Sequence, residues 1–157
     1  MVWKGCGLYG PITACARHIG AGIASLHPSP IRRSVLITPG SRPARNAHAA
    51  QLACDSVVID LEDRVAPAAR DAARATTIHA LWHVDFGQRQ RAVRVNAPQT
   101  SDLDKDLTAL AAVSFDGLWI PKVECIEQVS AIADRLPAAV PLIALLTQQR
   151  ATVVQLR

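Results

Sequence analysis

Acidic residues are absent from the amino-terminal stretch of this chain, where the first Asp or Glu is Asp55. The stretch before it contains only basic charges: Lys4, Arg17, Arg32, Arg33, Arg42 and Arg45. Aromatic side chains make up only 4% of the residues, and no basic run is interleaved with them. Because nucleic-acid binding needs such a surface, we expect no nucleic-acid partner and favour a phosphorylated small molecule.

The cysteines lack the C-x-x-C spacing of a zinc site: they are Cys6, Cys15, Cys54 and Cys125. We therefore expect reduced thiols in a cytoplasmic protein rather than zinc ligands or a disulfide framework. No run of the roughly 20 apolar residues that cross a membrane occurs, since Arg17 and His18 interrupt the first apolar segment. A secretory signal is also a poor match, and an organellar transit peptide agrees better with the missing acids.

A glycine fingerprint for dinucleotides is missing as well. Residues 20–25 (GAGIAS) superficially suggest such a loop. No convincing strand precedes this segment, Pro28 interrupts its helix, and no acid stands about 20 residues further on. A Rossmann-like or flavodoxin-like nucleotide binder is therefore disfavoured.

The length of 157 residues suits one domain with a core of ordinary size. We expect residues 1–31 to form an irregular or disordered extension, because Pro28 and Pro30 close a stretch without amphipathic period. Residues 32–157 then form the folded domain. This domain is too short for a complete eight-fold barrel, which typically takes about 250 residues.

Short apolar runs alternate with helix-prone segments along residues 32–157. Continuous apolar runs of this length are typical of strands buried on both faces, and their alternation with helices predicts a parallel sheet. The expected strands are 34–38, 56–61, 91–96, 117–123 and 141–146. The expected helices are 44–52 with Ser41 as its cap, 68–81, 102–113 and 126–136. Trp82 and Phe86 are expected to pack over the sheet.

Charged residues follow several of these strands. Asp60, Glu62 and Asp63 end the second strand, Arg94 lies in the third, and Lys122 ends the fourth. Ligands of parallel α/β proteins bind at the carboxyl ends of the strands. The sequence therefore predicts one site at this edge of the sheet.

Five motifs occur in order in this chain: RSVLITPGSRPAR, VVIDLED, AVRVNAP, GLWIPKVE and PLIALLTQQR. Together they resemble the HpcH/HpaI aldolase and citrate lyase β-subunit family over residues 32 to about 152. The resemblance implies a (β/α)8 barrel, of which this chain has about five parallel βα units. It also implies Mg²⁺-dependent cleavage or formation of a carbon–carbon bond in a 3-hydroxyacyl-CoA such as citryl-, malyl- or citramalyl-CoA.

The resemblance assigns catalytic roles to Arg94 and to the three acids. Arg94 corresponds to the arginine that grips the carboxylate of a small acid, a role that suits a planar guanidinium. Asp60, Glu62 and Asp63 resemble acids that order this arginine and the water around the metal. Alternatively, Arg94 simply pairs with Asp60 or Glu62, and the acids cap a helix.

Further substrate-binding positions are Lys122 and Arg42. Arg42, with Arg33 and Arg45, is expected near a helix N-terminus, where phosphates of coenzyme A bind. The alternatives are solvated arginines and a surface ion pair of Lys122 with Glu124. The remaining polar candidates have no Glu partner of the H-E-x-x-H type and are expected to be structural or exposed: His48, His79 and His83.

The metal site departs from the family pattern. In relatives the fifth strand runs into a Glu-Thr-Ala-Arg-Gly type motif whose Glu binds the metal, and Thr147 stands at that position here. A hydroxyl replaces a carboxylate poorly on a hard divalent cation. The second ligand is an Asp beyond the sixth strand, which this chain does not reach. We therefore expect no metal ligand in this chain, which argues against Mg²⁺ binding by it.

Two functions follow. The first is a CoA-ester carbon–carbon lyase of which this chain is an incomplete, poorly active or inactive copy, acting on an acyl-CoA or a small keto or dicarboxylic acid. The second is a non-catalytic half-barrel that binds or interacts. An open half-barrel has unpaired strand edges, so we expect a homo-oligomer and no membrane partner.

Overall fold

The computed structural model of the protein describes residues 32–137 and 140–146. Within them, five parallel strands form one sheet in the order β1-β2-β3-β4-β5. The strands are β1 (Val35–Pro39), β2 (Ser56–Asp60), β3 (Gln90–Arg94), β4 (Gly117–Ile120) and β5 (Leu142–Ala144). The helices are α1 (Pro43–Ala49), α2 (Arg70–His83), preceded by a 3-10 turn over Pro67–Ala69, α3 (Asp102–Leu110) and α4 (Ile126–Ala133).

Each strand pairs with the next strand along the chain. A doubly wound sheet would reverse direction at a switch point, as in the order 2-1-3-4-5, whereas a barrel adds consecutive strands on one side. The consecutive order confirms the expected fold class, a partial (β/α)8 barrel of five parallel strands. The register places Pro39, Asp60 and Arg94 side by side at the carboxyl ends of β1, β2 and β3.

Strand β2 lies in the core, and its central residues 57–59 form a continuous apolar run. Every residue of β2 is buried, as expected for a strand covered on both faces. Helix α3 turns Leu103, Leu107 and Leu110 inward, which confirms the predicted apolar face. Phe86 is buried, but Trp82 is 63% exposed, so its predicted packing over the sheet is wrong.

The position of Trp82 follows from helix geometry. The inward face of α2 is formed by Ala73, Thr77 and Leu81, which are spaced four residues apart. A helix rotates by about 100° per residue. Trp82 therefore lies beside this inward face and points to solvent.

Several element boundaries differ from the expectation. Strand β4 ends at Ile120 instead of residue 123, because Pro121 has no N–H to donate and Lys122 has a φ of 52°. Strand β3 ends at Arg94, and the backbone N–H of Asn96 donates to a side chain. Helix α1 ends at Ala49, and its N-cap is Arg42 rather than Ser41.

Gly40 holds the end of β1 close to β2. Its N–H donates to the Asp60 carbonyl at 2.8 Å. A Cβ at this position would lie 2.7 Å from Thr77 Oγ1 and 3.1 Å from the Asp60 carbonyl oxygen. Only glycine permits this approach, so the turn after β1 supports the backbone of Asp60.

Some expectations fall outside the described residues, namely the extension 1–31, Cys6, Cys15 and Thr147. The cysteines within the described part, Cys54 and Cys125, are free thiols. No helix among residues 32–137 and 140–146 combines the length and the apolar character needed to cross a membrane.

Asp55 fastens the amino end of β2 to the residues before β1. Its Oδ2 accepts hydrogen bonds from the backbone N–H of Arg33 at 2.8 Å and of Ser34 at 2.9 Å. These bonds, led by that of the Arg33 N–H, lower the pKa of Asp55 from 3.8 to about 2. A carboxyl with a depressed pKa stabilises the fold above its unfolded pKa and loses this contribution as the pH falls through its folded pKa.

We therefore expect Asp55→Asn to lower the free energy of unfolding at neutral pH and to flatten its pH dependence between pH 3.8 and about 2. Urea denaturation across this pH range measures both effects. Asp134→Asn makes the same change of charge at an exposed position after α4 and is the matched control. Identical pH profiles for Asp55→Asn and the wild-type protein would contradict the prediction.

Candidate functional site

Asp60 lies at the carboxyl end of β2 and is fully buried. Its Oδ1 accepts from the backbone N–H of Glu62 at 2.8 Å and from Arg94 Nε at 2.8 Å. Its Oδ2 accepts from the backbone N–H of Arg64 at 3.1 Å and from Arg94 Nη2 at 2.5 Å. These donors occupy both oxygens of the carboxylate, so Asp60 orients Arg94 and the turn 61–64.

The guanidinium of Arg94 is only partly engaged by this pair. Its Nε–Nη2 edge binds Asp60, and Nη1 lies 3.5 Å from Asp63 Oδ2. The bond with Asp60 raises the pKa of Arg94, which keeps the group cationic. The expected pairing of Arg94 with Asp60 is therefore confirmed, and Nη1 is directed toward Asp63 at the edge of the site.

Lys122 closes the site from β4. Its Nζ forms an ion pair with Glu62 Oε1 at 2.8 Å and lies 3.5 Å from Asp63 Oδ1. The carboxylate of Glu62 beside it is the main cause of the raised pKa of Lys122. The proposed surface pair of Lys122 with Glu124 is wrong, because Lys122 turns toward the acids while Glu124 is exposed.

The backbone of Lys122 is unusual, since a φ of 52° is the left-handed region that non-glycine residues rarely adopt. Holding such a residue there costs roughly 1–3 kcal/mol. The Lys122 carbonyl accepts from Gln99 Nε2 at 3.3 Å. This turn directs the ammonium group toward Glu62 and Asp63.

A cavity of about 550 Å³ opens beside these groups, and its charged and polar lining includes Glu62, Asp63, Arg64, Arg70, Asn96 and Lys122. Four buried polar atoms of this lining have no hydrogen-bond partner among the described residues: Glu62 Oε1, Glu62 Oε2, Arg70 Nε and Asn96 Oδ1. Of these, Glu62 Oε1 makes the ion pair with Lys122. Such atoms are stabilised by a partner, so the cavity offers both donors and acceptors to a polar ligand.

Asn96 ends the motif AVRVN, and the sequence predicted no role for it. Asn96 is fully buried and donates from Nδ2 to the Leu61 carbonyl at 3.1 Å and to Asp106 Oδ2 at 2.8 Å. The sequence also predicted no role for Arg70, which lines the cavity together with Arg64. The signal for Asn96 was available, because it is a polar residue directly after a buried apolar strand.

The arginines around β1 separate into two groups. Arg42 and Arg45 follow the carboxyl end of β1 and are exposed, with no ion pair among the described residues. Arg45 lines a second cavity, of about 270 Å³, together with Arg64 and His48. Arg33 lies at the opposite edge, where Nη2 is 3.3 Å from Asp55 Oδ1, so its expected place near a helix N-terminus is wrong.

A divalent cation has no coordinating cluster in the described part of the chain. No group of three or more His, Cys, Asp or Glu side chains there is placed to hold a metal ion. The donors on Asp60 occupy its oxygens, and Glu62 and Asp63 face Lys122 and Arg94. The described residues therefore do not fit a magnesium site by themselves, and Thr147 lies outside them.

Three of the five histidines belong to the described residues, and these three are exposed, as expected: His48, His79 and His83. The rings of His79 and His83 on α2 are in contact, with centroids 4.5 Å apart and ring planes tilted by 47°. They follow helical i, i+4 spacing.

Consecutive parallel βα units with an acid–arginine pair at the strand ends define the class as one built on the (β/α)8 barrel. The family model of HpcH/HpaI aldolase/citrate lyase matches residues 33–140, and the chain belongs to this family. The match confirms the resemblance on which the site residues were assigned.

Named relatives support the same family. The citrate lyase subunit beta of Leuconostoc mesenteroides subsp. cremoris is 36% identical over 94 residues, covering 60% of this chain and 31% of the relative. The (3S)-malyl-CoA thioesterase of Cereibacter sphaeroides is 41% identical over 105 residues, covering 67% and 37%. This chain spans about a third of the length of these relatives.

Solved structures agree with the fold. The citrate lyase beta subunit of M. tuberculosis complexed with oxaloacetate and magnesium has 38% identity and a TM-score of 0.60, covering 71% of this chain and 46% of that chain. CitE of the same organism in complex with magnesium, acetoacetate and coenzyme A has 37% identity and a TM-score of 0.59, covering 74% and 41%. Magnesium is thus bound by members of the family.

Proposed function

We propose that this chain is a citrate lyase beta-like member of its family that binds a small keto or dicarboxylic acid, or the CoA ester of one, at the Arg94 site. The reaction of the class is cleavage or formation of a carbon–carbon bond in a 3-hydroxyacyl-CoA such as citryl-, malyl- or citramalyl-CoA. The observation that carries the proposal is the orientation of Arg94, whose Nε–Nη2 edge is fixed by Asp60 while Nη1 lies on the side of Asp63.

The side chains support this chemistry by charge and position. A carboxylate ligand accepts charge-assisted hydrogen bonds from Arg94 Nη1. When a carbon–carbon bond breaks in a retro-aldol step, its electron pair becomes an enolate, and the cations Arg94 and Lys122 stabilise that negative charge. Glu62 Oε2 is buried without a partner among the described residues and accepts a hydrogen bond from the ligand.

Structures of family members contain magnesium. The described residues of this chain supply no ligand cluster for the ion. We therefore assign the roles above to the side chains alone, and a substrate-binding role does not depend on the metal.

We assign the binding of the phosphate groups of a CoA ester to the positively charged arginines after β1. Arg42 and Arg45 are exposed cations without a carboxylate partner in the described part of the chain, and Arg64 joins Arg45 around the second cavity. Planar guanidinium groups bind phosphate oxygens in pairs. We assign Arg42 to this substrate-binding role, with Arg45 and Arg64 beside it.

A second candidate is a non-catalytic half-barrel that binds a partner or a second copy of itself. Two observations favour it. The first is the exposure of two apolar residues, Val35 on β1 at 39% and Leu146 after β5 at 76%. The second is Thr147 at the position where the resemblance implies a metal-binding Glu. β1 and β5 each pair on one side only, and open edges tend to associate. We propose a cytoplasmic homo-oligomer in either case. Sedimentation that shows metal-independent oligomers without lyase activity favours the second candidate.

Arg94→Lys is expected to weaken the binding of oxaloacetate at least about tenfold, or ~1.4 kcal/mol, because a point charge does not reproduce the planar fork. Isothermal titration calorimetry of both proteins measures the difference, and circular dichroism establishes that the variant is folded. Arg135→Lys changes an arginine that pairs with Asp104 on the surface and is the matched control. Equal affinity in the two proteins, or no binding by the wild-type protein, would remove the assignment.

A further inference from the structure

Asp106 is a buried carboxylate that does not line the cavity of the candidate site. It lies on α3, at an inward position between Leu103 and Leu110. Its Oδ2 accepts from the backbone N–H of Asn96 at 2.7 Å and from Asn96 Nδ2 at 2.8 Å, and its Oδ1 accepts from Arg74 Nε at 2.6 Å. Both oxygens of a charged group are thus used inside an apolar helix face.

Asn96 links Asp106 to the backbone of the candidate site. Its Nδ2 donates to the carbonyl of Leu61, the residue between Asp60 and Glu62. The Leu61 N–H in turn donates to the carbonyl of Arg94 at 2.9 Å. The backbone of β2 beyond Asp60 and that of β3 beyond Arg94 are therefore tied together by one side chain, which Asp106 holds.

The inward face of α3 does not need a carboxylate at position 106 in order to pack. Replacing buried ion pairs by apolar residues of similar volume is often neutral or stabilising, and Leu103, Leu107 and Leu110 already pack this face. Burial raises the pKa of Asp106, against the hydrogen bonds of Asn96 and Arg74. A carboxylate retained at such a position has a role in placing its partners.

We propose that Asp106 is a positioning residue, which acts through Asn96 to fix the Leu61 carbonyl and with it the orientation of the Asp60–Arg94 pair toward the ligand. The value of this orientation for ligand binding depends on the proposed function. The positioning itself is a property of the protein without ligand, so the two are measured separately.

The competing explanation for the buried Asp106 is that it only joins α3 to α2 through its ion pair with Arg74. Arg74 also pairs with Asp102, at 2.5 Å from Nη2, and with Asp71. Asp102 provides the matched control, because its removal also takes a carboxylate from Arg74 but leaves Asn96 untouched.

The experiment measures hydrogen exchange of the Arg94 Nε–H by ¹⁵N NMR in Asp106→Ala and Asp102→Ala, with the signal assigned by its loss in Arg94→Lys. We expect exchange at least about tenfold faster in Asp106→Ala and within about twofold of wild type in Asp102→Ala. Asp106→Asn and Asn96→Ala, which remove different parts of the same link, should accelerate exchange too. These two variants provide the test if Asp106→Ala does not fold.

Unchanged protection of the Arg94 Nε–H in folded Asp106→Asn and Asn96→Ala would overturn the inference. Equal acceleration in Asp102→Ala would overturn it as well, since the joining of α3 to α2 then accounts for the effect. Calorimetry with oxaloacetate tests the proposed function alongside. If wild-type protein binds no oxaloacetate while Asp106→Ala still loosens Arg94, the positioning role stands and the proposed function falls.

Discussion

Asp60→Ala is expected to lower the free energy of unfolding by about 3–5 kcal/mol, because it leaves the charge of Arg94 in a largely buried place without its main partner. The Arg94 side chain is 13% exposed, and Asp60 supplies its two shortest contacts with a carboxylate. The backbone N–H groups of Glu62 and Arg64 lose their acceptors in the same variant. Urea denaturation at neutral pH measures the difference.

Asp63→Ala is the matched control for this prediction. Asp63 also contacts Arg94 and Lys122, both at 3.5 Å, but its side chain is 57% exposed. Exposed ion pairs contribute about 0–1 kcal/mol, so Asp63→Ala should change stability little. A double variant, Asp60→Ala with Arg94→Met, should be more stable than Asp60→Ala alone, because it removes the unpaired charge. Similar stabilities for Asp60→Ala and Asp63→Ala would contradict this account of the pair.

The sequence was sufficient to predict the sheet. The run 57–59 is apolar at successive positions, which is typical of a strand buried on both faces, and helical segments between such runs favour parallel neighbours. The same logic brought Asp60 and Arg94 together, since both lie at carboxyl ends of strands predicted to be parallel. The register confirms that they are partners.

The partners of Lys122 required the three-dimensional structure. Its ammonium group meets Glu62 only because β4 ends at Pro121 and the next residue adopts a left-handed conformation. Nearness along the chain suggested Glu124 as the partner of Lys122, and no sequence pattern predicts a positive φ at a lysine. Backbone conformation outside regular elements is set by tertiary contacts, here including Gln99 on the Lys122 carbonyl.

Asp106 shows a signal that was present but unused. It stands at the apolar face of α3, where Leu103, Leu107 and Leu110 follow helical spacing. An acid at such a position is either a solvated exception or a buried group with partners. Its partners come from α2 and from the loop after β3, so the sequence alone marks the position without naming what it binds.

The 157-residue chain is expected to have no appreciable lyase activity, with turnover at least ~1,000-fold below the median enzyme rate of roughly 10 per second. The motif resemblance aligns Thr147 with the metal-binding Glu expected for the family, and a neutral hydroxyl binds a hard divalent cation far more weakly than a carboxylate. Each ~1.4 kcal/mol of lost transition-state stabilisation slows the reaction tenfold, and metal neutralisation of an enolate supplies several kcal/mol.

Thr147→Glu alone should not restore turnover in these 157 residues. The matched region covers 46% of the M. tuberculosis citrate lyase beta subunit, and one carboxylate does not complete an octahedral magnesium site. Purified wild-type and Thr147→Glu proteins are assayed with Mg²⁺ against citryl-CoA, malyl-CoA and citramalyl-CoA, with oxaloacetate calorimetry as a control that the Arg94 site is intact. Turnover of either protein near the median enzyme rate of roughly 10 per second on any of these substrates would refute the expectation. Oxaloacetate binding without turnover would locate the defect in the metal site, because the carboxylate anchor would then be working without it.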